Sequence, residues 1–273
     1  MPELQANDEL IREHYRKIAL KDGASPRSTM EDDHVREKEL EWIISYRNLI
    51  RRQHGHSLHV LDLGCGNGYA LEQLSSSGSD DRLSGVDFSA DLLEIANGRG
   101  LKGCSVSQGD ARELAFDDAT FDFVYTERCL INILDEQEQI RALNEIARVL
   151  KPGGDYLMIE CFTDGLENNN KARVDCGLAP LKAAYHNRYF DKDVFHAAIR
   201  GKFKALEAAD LDAAAFQHRS NFLSSYYFIS RVLYPASVHG GEVVRNSEMA
   251  KFFSFLPPVG NYSPIQAYVL RKI

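Results

Sequence analysis

The sequence predicts an α/β protein built on a parallel sheet, and three observations lead to that prediction. The run from His59 to Leu63 has the apolar, branched composition of a buried parallel strand, and it leads into a glycine-rich turn and a helix-like segment. Further strand-like runs at residues 83–87 and 121–127 are each followed by a helical pattern. The chain has 273 residues, 44% of them hydrophobic, which suits one large domain with elaborations.

The glycine-rich turn predicts a nucleotide-type cofactor site. Gly64, Gly66 and Gly68 stand at alternate positions, so the backbone can turn sharply and approach a ligand without Cβ contacts. The helix that follows would present free N–H groups at its start. The dinucleotide fingerprint G-x-G-x-x-G would require Gly or Ala at position 69, where this chain has Tyr69, and this disfavours a nicotinamide oxidoreductase.

Carboxylates follow the next strand-like runs at informative spacings. Asp87 ends the second run 19 residues after Gly68, where a nucleotide-binding α/β fold can place an acceptor for ribose hydroxyls. Ser89 is a suitable N-cap for a helix that begins near residue 91. A third strand at 105–108 leads into the turn Gly109-Asp110-Ala111, and a fourth at 121–127 ends in Glu127.

These motifs resemble those of the class I S-adenosylmethionine-dependent methyltransferases over roughly residues 58 to 163. The pattern D-x-G-x-G-x-G from Asp62 to Gly68 is similar to motif I, and Leu-Lys-Pro-Gly-Gly at 150–154 is similar to the usual lead-in to strand five. The resemblance implies a doubly wound, mostly parallel seven-stranded sheet with one antiparallel edge strand. It also implies S-adenosylmethionine as the cofactor, S-adenosylhomocysteine as the product, and a methyltransferase of the EC 2.1.1 type.

The resemblance also implies which residues bind the cofactor. In the family, the carboxylate of the G-D-A turn faces the adenine amino group. The cofactor-binding residues predicted from the motifs and strand ends are Asp62, Gly64, Gly66, Gly68, Asp87, Phe88, Asp110, Ala111 and Glu127.

The predicted domain organisation is an N-terminal helical lid segment, residues 1–57, and a core, residues 58–273. Helices are predicted over 8–21 and 32–52, with breakers between them. In the family such a segment often folds over the cofactor, but plain packing against the core is an equal alternative. Substrate-side elaborations are predicted at 164–190, including a polar loop over 163–180, and at 217–262.

Two catalytic candidates lie near the expected ligand edge of the sheet, which is formed by the carboxyl ends of its strands. His186 follows strand five, and with an ordinary pKa near 6.5 it could accept a proton, orient a substrate or be merely structural. Glu127 falls beside the expected methyl group, and it could equally be an ion-pair partner or a cap. The substrate-binding candidates are Tyr15, Arg128, Tyr185, Arg188 and Tyr226.

The last third of the chain predicts two strands that flank an aromatic-rich insertion. Strand six is expected within 203–216 and the final strand at 266–270. The aromatic residues at 221–235 and 252–258 could form core, a cap over the substrate, or a surface that pairs with a second subunit. A homodimer therefore remains open.

Charge and cysteine usage restrict the partners. A net charge of −8 without a clustered basic face disfavours nucleic acid. Five cysteines without a C-x-x-C pair fit reduced thiols, and His54 and His56 have no third ligand nearby, so no metal is predicted. No apolar run is long enough to span a bilayer and the N-terminus does not resemble a signal peptide, so we expect a soluble cytoplasmic protein without a membrane partner.

The predicted function is methyl transfer to a hydroxyl or amine of a polar small molecule, sugar-like or anionic. The preference for a polar acceptor comes from the aromatic, histidine and arginine residues expected around the substrate. Two alternatives remain open: another group transferase of the same fold, such as an aminopropyl transferase, and a non-catalytic cofactor-binding or scaffold protein.

Overall fold

The computed structural model describes residues 2–78, 80–211, 220–238, 242–243 and 245–273. The strands are β1 (His59–Leu63), β2 (Arg82–Asp87), β3 (Cys104–Gln108), β4 (Phe121–Glu127), β5 (Leu150–Cys161), β6 (Phe203–Ala205) and β7 (Ile265–Lys272). The helices are α1 (Pro2–Asp22), α2 (Asp33–His54), α3 (Tyr69–Ser76), α4 (Ala90–Gly98), α5 (Glu136–Val149), α6 (Thr163–Asp175), α7 (Lys192–Ile199), α8 (Ser224–Phe228), α9 (Tyr234–Ser237) and α10 (Glu248–Ser254).

Shorter helical turns connect some of these elements. They are 3₁₀ turns at Pro26–Ser28, Leu130–Asn132 and Ala208–Asp210, and a π-helical turn at Ile229–Leu233. The described residues include no helix that is both long and apolar enough to cross a membrane.

The seven strands form one sheet in the order β3-β2-β1-β4-β5-β7-β6. All neighbouring pairs from β3 to β5 are parallel, and β7 runs antiparallel to both of its neighbours, β5 and β6. This confirms the predicted mostly parallel, seven-stranded sheet, with the antiparallel strand one position in from the edge. The strand order reverses between β1 and β4, and an open α/β sheet binds its ligands in the crevice at such a point.

The predicted N-terminal helices form, with α2 packed on the core. Asp32 accepts a hydrogen bond from the backbone N–H of Val35 and caps α2, which ends at Gly55 in a left-handed conformation with φ 70°. The stripe of α2 that faces the sheet is fully buried at Ile43 and Tyr46. This stripe therefore holds α2 against the sheet.

Two predictions about the second half of the chain need correction. The first is the polar loop predicted over 163–180. This prediction is wrong for residues 163–175, which form α6. Its polar side chains are used in packing, since buried Asn169 donates to the carbonyl of Tyr262 and buried Arg173 donates to the carbonyl of Ala179. Strand six is shorter than predicted and ends at Ala205. Residues 212–219, where that strand was expected to continue, lie outside the described residues.

The insertion between β6 and β7 is attached to the start of α2 by buried polar contacts. The hydroxyl of Tyr226 donates to both carboxylate oxygens of Asp32 at 2.8 Å, and Arg231 donates to the same carboxylate at 2.6 Å. All three side chains are almost fully buried. The insertion therefore fixes the end of α2 that lies nearest to Arg36 and the functional site.

We expect Arg231→Leu to lower the free energy of unfolding by about 3 kcal/mol, because it leaves the buried Asp32 carboxylate without its cation. Urea denaturation monitored by circular dichroism measures this change. Arg245→Leu is the control, since Arg245 pairs with Glu31 on the exposed surface and its loss should cost less than about 0.5 kcal/mol. Equal losses in the two variants would contradict the anchoring role of Arg231.

Candidate functional site

A cavity lies at the carboxyl ends of β1, β2 and β4, next to the point where the strand order reverses. It contains about 1020 Å³ of empty space, part of which is open to solvent. Side chains from α1 and from the start of α2 line one side of it, and the strand ends line the other. The N-terminal segment therefore forms part of the wall of the cavity.

The glycine turn after β1 forms the floor of this cavity. Gly64 and Gly66 line it with φ angles of 89° and 52°, which favour glycine. A Cβ atom on Gly64 would lie 2.6 Å from the Cβ of Cys129, so no larger residue fits. Gly68 lies outside the lining; it precedes α3 with φ 77° and packs against Ala96 of α4.

Asp62 faces the cavity with an unsatisfied oxygen. Its side chain is buried, and Oδ2 has no hydrogen bond of normal geometry among the described residues, although the buried hydroxyl of Tyr125 lies beside the carboxyl group. Burial raises the pKa of Asp62 to about 8. A buried acceptor without a donor is costly, so a ligand that supplies an N–H donor or a positive charge would stabilise this carboxyl group.

Asp87 is held rigidly at the end of β2. Its Oδ2 atom accepts from the N–H of Gly66 at 2.7 Å and its Oδ1 atom from the N–H of Ser89 at 2.8 Å. Burial raises the pKa of Asp87 above its ordinary value. A carboxylate has about four acceptor sites, so Asp87 can still accept a hydroxyl donor from a ligand. Phe88 lines the cavity beside it, with the guanidinium of Arg12 4.4 Å above the ring.

An ion-pair network closes the end of the cavity near the turn after β3. Arg112 donates to Asp110 and also forms two hydrogen bonds to Asp8 of α1, at 3.0 and 2.8 Å. Burial raises the pKa of Asp110, but its hydrogen bonds with Arg112 outweigh that effect and hold the pKa below its ordinary value. Ala111 lines the same end. Arg112 therefore connects α1 directly to the predicted cofactor carboxylate.

Glu127 and Arg128 belong to a buried cluster at the other end of the cavity. Glu127 accepts from Arg36 of α2 and from Arg128, and Arg128 in turn donates to both oxygens of Glu39. Burial acts to raise the pKa of Glu127, but the charges of Arg36 and Arg128 outweigh burial and hold this pKa below its ordinary value. A carboxylate with a lowered pKa is a weak proton acceptor at neutral pH, so this geometry favours orientation over base catalysis by Glu127.

Tyr15 reaches the same end of the cavity from α1. Its hydroxyl donates to Oδ1 of Asn132 at 2.7 Å, and both residues line the cavity. The amide of Asn132 donates to the carbonyl of His186 and to the side chain of Asn187. This arrangement suits the predicted contact of Tyr15 with a substrate, and that role stays a prediction.

The remaining predicted site residues lie outside the lining of the cavity. His186 stacks on His14 of α1, with ring centroids 3.7 Å apart, and His14 contacts the hydroxyl of Tyr185 at 2.9 Å. Arg188 pairs with Glu136 of α5. Tyr226 is bonded to Asp32, as described above. These contacts suit a structural role for each residue, and their catalytic or substrate-binding roles remain predictions.

Several cavity residues were missed by the sequence reasoning. The main ones are Asp8, Arg36, Asn67, Arg112 and Asn132. Arg112 carried a usable signal, because it follows Asp110 by two residues and an arginine there can pair with the turn carboxylate. Arg36 lies within a predicted helix with many charges, and no local pattern distinguishes it from an exposed arginine.

We expect the stacked histidines to make the protein less stable as the pH falls. Burial and the neighbouring His14 lower the pKa of His186 to about 4, so between pH 6.5 and 4 the unfolded chain takes up a proton that the folded chain does not. Stability contributed by neutral His186 is therefore lost over this range. Since His186 is only half-buried, we expect about 1–2 kcal/mol.

Urea unfolding of the wild type and His186→Gln at pH 7.0 and pH 5.0 measures this effect. The wild type should lose more stability between the two pH values than the variant. The control is His54→Gln, which changes the exposed histidine at the end of α2 and should keep the wild-type dependence. A His186→Gln variant with the wild-type dependence would show that His186 does not contribute.

Comparison with known proteins supports the resemblance. Residues 60–154 match the family model described as a methyltransferase domain. A demethylmenaquinone methyltransferase of Leptospira interrogans is 34% identical over 167 residues, which are 59% of this chain and 64% of the relative. One of Staphylococcus aureus is 37% identical over 106 residues, 38% of this chain and 43% of the relative. The chain therefore spans less than two thirds of the length of these curated relatives.

A solved structure extends the likeness in fold to almost the whole chain. Phosphoethanolamine N-methyltransferase 1 of Haemonchus contortus, in complex with phosphoethanolamine and S-adenosylhomocysteine, matches with a TM-score of 0.58. The match covers 99% of this chain and 50% of that chain at 16% identity. At this identity the likeness shows the fold alone.

Proposed function

Because the chain belongs, through its domain at residues 60–154, to the class I S-adenosylmethionine-dependent methyltransferases, we propose that it transfers the cofactor's methyl group to a small-molecule acceptor. One observation carries this proposal. The cavity combines the left-handed Gly64 turn with a buried, unsatisfied Asp62 oxygen and a fixed Asp87 carboxylate. A cofactor with an ammonium group and two ribose hydroxyls has donors for both carboxyl groups.

Each part of the cofactor has a suitable partner in the cavity. Asp62 would hold the ammonium group of the methionine moiety, and Asp87 the ribose hydroxyls. Asp110 would accept from the adenine amino group, with Phe88 and Ala111 beside the ring. The backbone at Gly64 and Gly66 would lie against the middle of the cofactor, since no Cβ blocks its approach.

The chemistry places few demands on the protein, because the sulfonium of the cofactor supplies an electrophilic methyl group. The chain has to hold the acceptor in line with the bond that breaks and to exclude water. Alignment of this kind can lower the barrier by about 7–11 kcal/mol. A general base typically accelerates a reaction about 10²- to 10⁴-fold, which is a smaller effect. The covering of the cavity by α1 fits both requirements.

We propose that the methyl acceptor is a hydroxyl or amine of a polar small molecule. Tyr15, Asn132 and Arg128 line the end of the cavity next to Glu127 and offer hydrogen-bonding groups there. A second candidate is the ring of a quinol, because the two relatives described above are named as demethylmenaquinone methyltransferases. The two classes can be distinguished with a panel of acceptors.

We also propose a cytoplasmic location and action on a small molecule rather than nucleic acid. The net charge of −8 supports the second point, since polyanion binding usually requires clustered Lys and Arg. A homodimer remains a proposal, and sedimentation of the purified protein would test it.

The function is tested first by calorimetric titration with S-adenosylmethionine, S-adenosylhomocysteine and NADH. We expect micromolar binding of the first two and none of NADH. Asp87→Ala should weaken binding by roughly 10- to 100-fold, because it removes charge-assisted hydrogen bonds to the ribose. Asp91→Ala, which changes an exposed carboxylate at the start of α4, should bind as the wild type does.

A thermal melt of each variant separates loss of binding from loss of folding. Once binding is shown, methyl transfer from labelled cofactor to sugars, amines and hydroquinones identifies the acceptor class. Binding of NADH, or of none of the three ligands, would overturn the proposed function. Binding without turnover across the whole panel would favour the non-catalytic cofactor-binding protein.

We further propose that α1 acts as a lid over the cofactor, with the Asp8–Arg112 ion pair as its fastening. Asp8→Asn removes one charge of this partly buried pair, so S-adenosylhomocysteine should dissociate about 3- to 10-fold faster, equivalent to about 1 kcal/mol. Stopped-flow displacement measures that rate. Glu9→Gln, on the exposed face of the same helix, is the control and should leave it unchanged.

A further inference from the structure

The turn that follows β4 is held in an unusual conformation. Arg128 has φ 55°, in the left-handed region that residues with side chains rarely occupy. The 3₁₀ turn Leu130–Asn132 follows at once. Backbone strain of this kind persists only where the surroundings impose it, so some group outside the turn must hold it in place.

Glu160 of β5 provides one such restraint, in addition to the hydrogen bond that the N–H of Arg128 donates to the carbonyl of Ile159. Its Oε1 atom accepts from the N–H groups of Cys129 and Leu130, both at 3.0 Å, and its Oε2 atom accepts from the N–H of Ile131 at 3.2 Å. Glu160 is fully buried and does not line the cavity. No ion pair to Arg or Lys is formed by Glu160 among the described residues. The three amides and the side chain of Thr126 offset part of the cost of burial, which still raises the pKa of Glu160 to about 7.

The restrained turn connects the two halves of the cavity. Cys129 contacts Gly64 so closely that a Cβ atom on Gly64 would overlap it, which places the turn against the cofactor side. At its other end, Asn132 accepts the hydrogen bond from Tyr15 on the acceptor side. A shift of this turn would therefore move acceptor-side groups relative to the cofactor.

We propose that Glu160 is a positioning residue for methyl transfer: its buried carboxylate shapes the 128–132 turn and so places Asn132 and Tyr15 against the acceptor. This inference rests on the proposed function, because it concerns the same cavity. Glu160 itself touches neither ligand and acts through the backbone of the turn.

The test is Glu160→Gln, which preserves the shape of the side chain but turns one acceptor into a donor facing an N–H group. Hydrogen exchange should become at least about 10-fold faster for the amides of 129–131 and stay unchanged in β1 and β2. Affinity for S-adenosylhomocysteine should stay within about threefold. The kcat with the acceptor from the panel should fall about 100-fold, since small misplacements of reacting groups have effects of that size.

Asp155→Asn is the matched control. Asp155 is also buried on β5, but it accepts from Tyr46 and Arg271 away from the cavity. This variant should lose stability without faster exchange at 129–131 and without the selective loss of kcat. Glu160→Asp keeps the charge but shortens the side chain, so its exchange rates at 129–131 and its kcat should lie between those of wild type and Glu160→Gln. It replaces Glu160→Gln in the test if that variant folds poorly.

The outcomes separate this inference from the proposed function. If the wild type binds neither S-adenosylmethionine nor S-adenosylhomocysteine, the proposed function is overturned, and the inference that rests on it is overturned as well. If it binds them and Glu160→Gln exchanges at 129–131 as the wild type does, Glu160 does not shape the turn and the inference is overturned. Faster exchange with unchanged kcat would also overturn it, because the turn would then not position the acceptor.

Discussion

The site depends on the close contact between two turns, one after β1 and the other after β4. Gly64 and Cys129 meet where a single additional carbon atom would not fit. Because neighbouring parallel strands end at the same edge of the sheet, their following turns necessarily compete for this space. Because Gly64 has no Cβ atom, both turns fit into this space, and both lie near enough to contact the same ligand.

Charged groups around the cavity are compensated locally. Glu127 lies between Arg36 and Arg128, and Arg112 lies between Asp110 and Asp8. Buried charges are costly unless they are paired, and two of these pairs, Arg36–Glu127 and Arg112–Asp8, join elements that are distant in the sequence. The same interactions that make burial of these charges tolerable therefore also fix α1 and α2 over the sheet.

The fold and the floor of the cavity could be predicted because their determinants are local. Asp62, Gly64 and Asp87 take their places from strand patterns and spacings that a single sequence displays, and these residues do line the cavity. The acceptor side could not be predicted in this way. Tyr15 meets Asn132 across 117 residues and Arg36 meets Glu127 across 91, and no periodicity encodes such pairings.

The contacts of His186 could not be predicted from the sequence either. Its position after strand five predicted a place at the ligand edge of the sheet, but the sequence does not reveal that its ring stacks on His14 and lies outside the lining of the cavity. Likewise, the polar composition of 163–175 indicated a loop, whereas buried contacts of Asn169 and Arg173 stabilise a helix. Tertiary packing outweighed local composition in both places.

One face of α1 spans the whole cavity. Asp8 contacts the network at the Asp110 end and Tyr15 contacts Asn132 at the opposite end. The two residues are seven positions apart, which corresponds to about 10 Å of helix. A rigid helix cannot dock at one end while it is displaced at the other. The proposed lid would therefore couple the two ends: a molecule that favours the docked helix from either end would raise the affinity of the other end by the same factor.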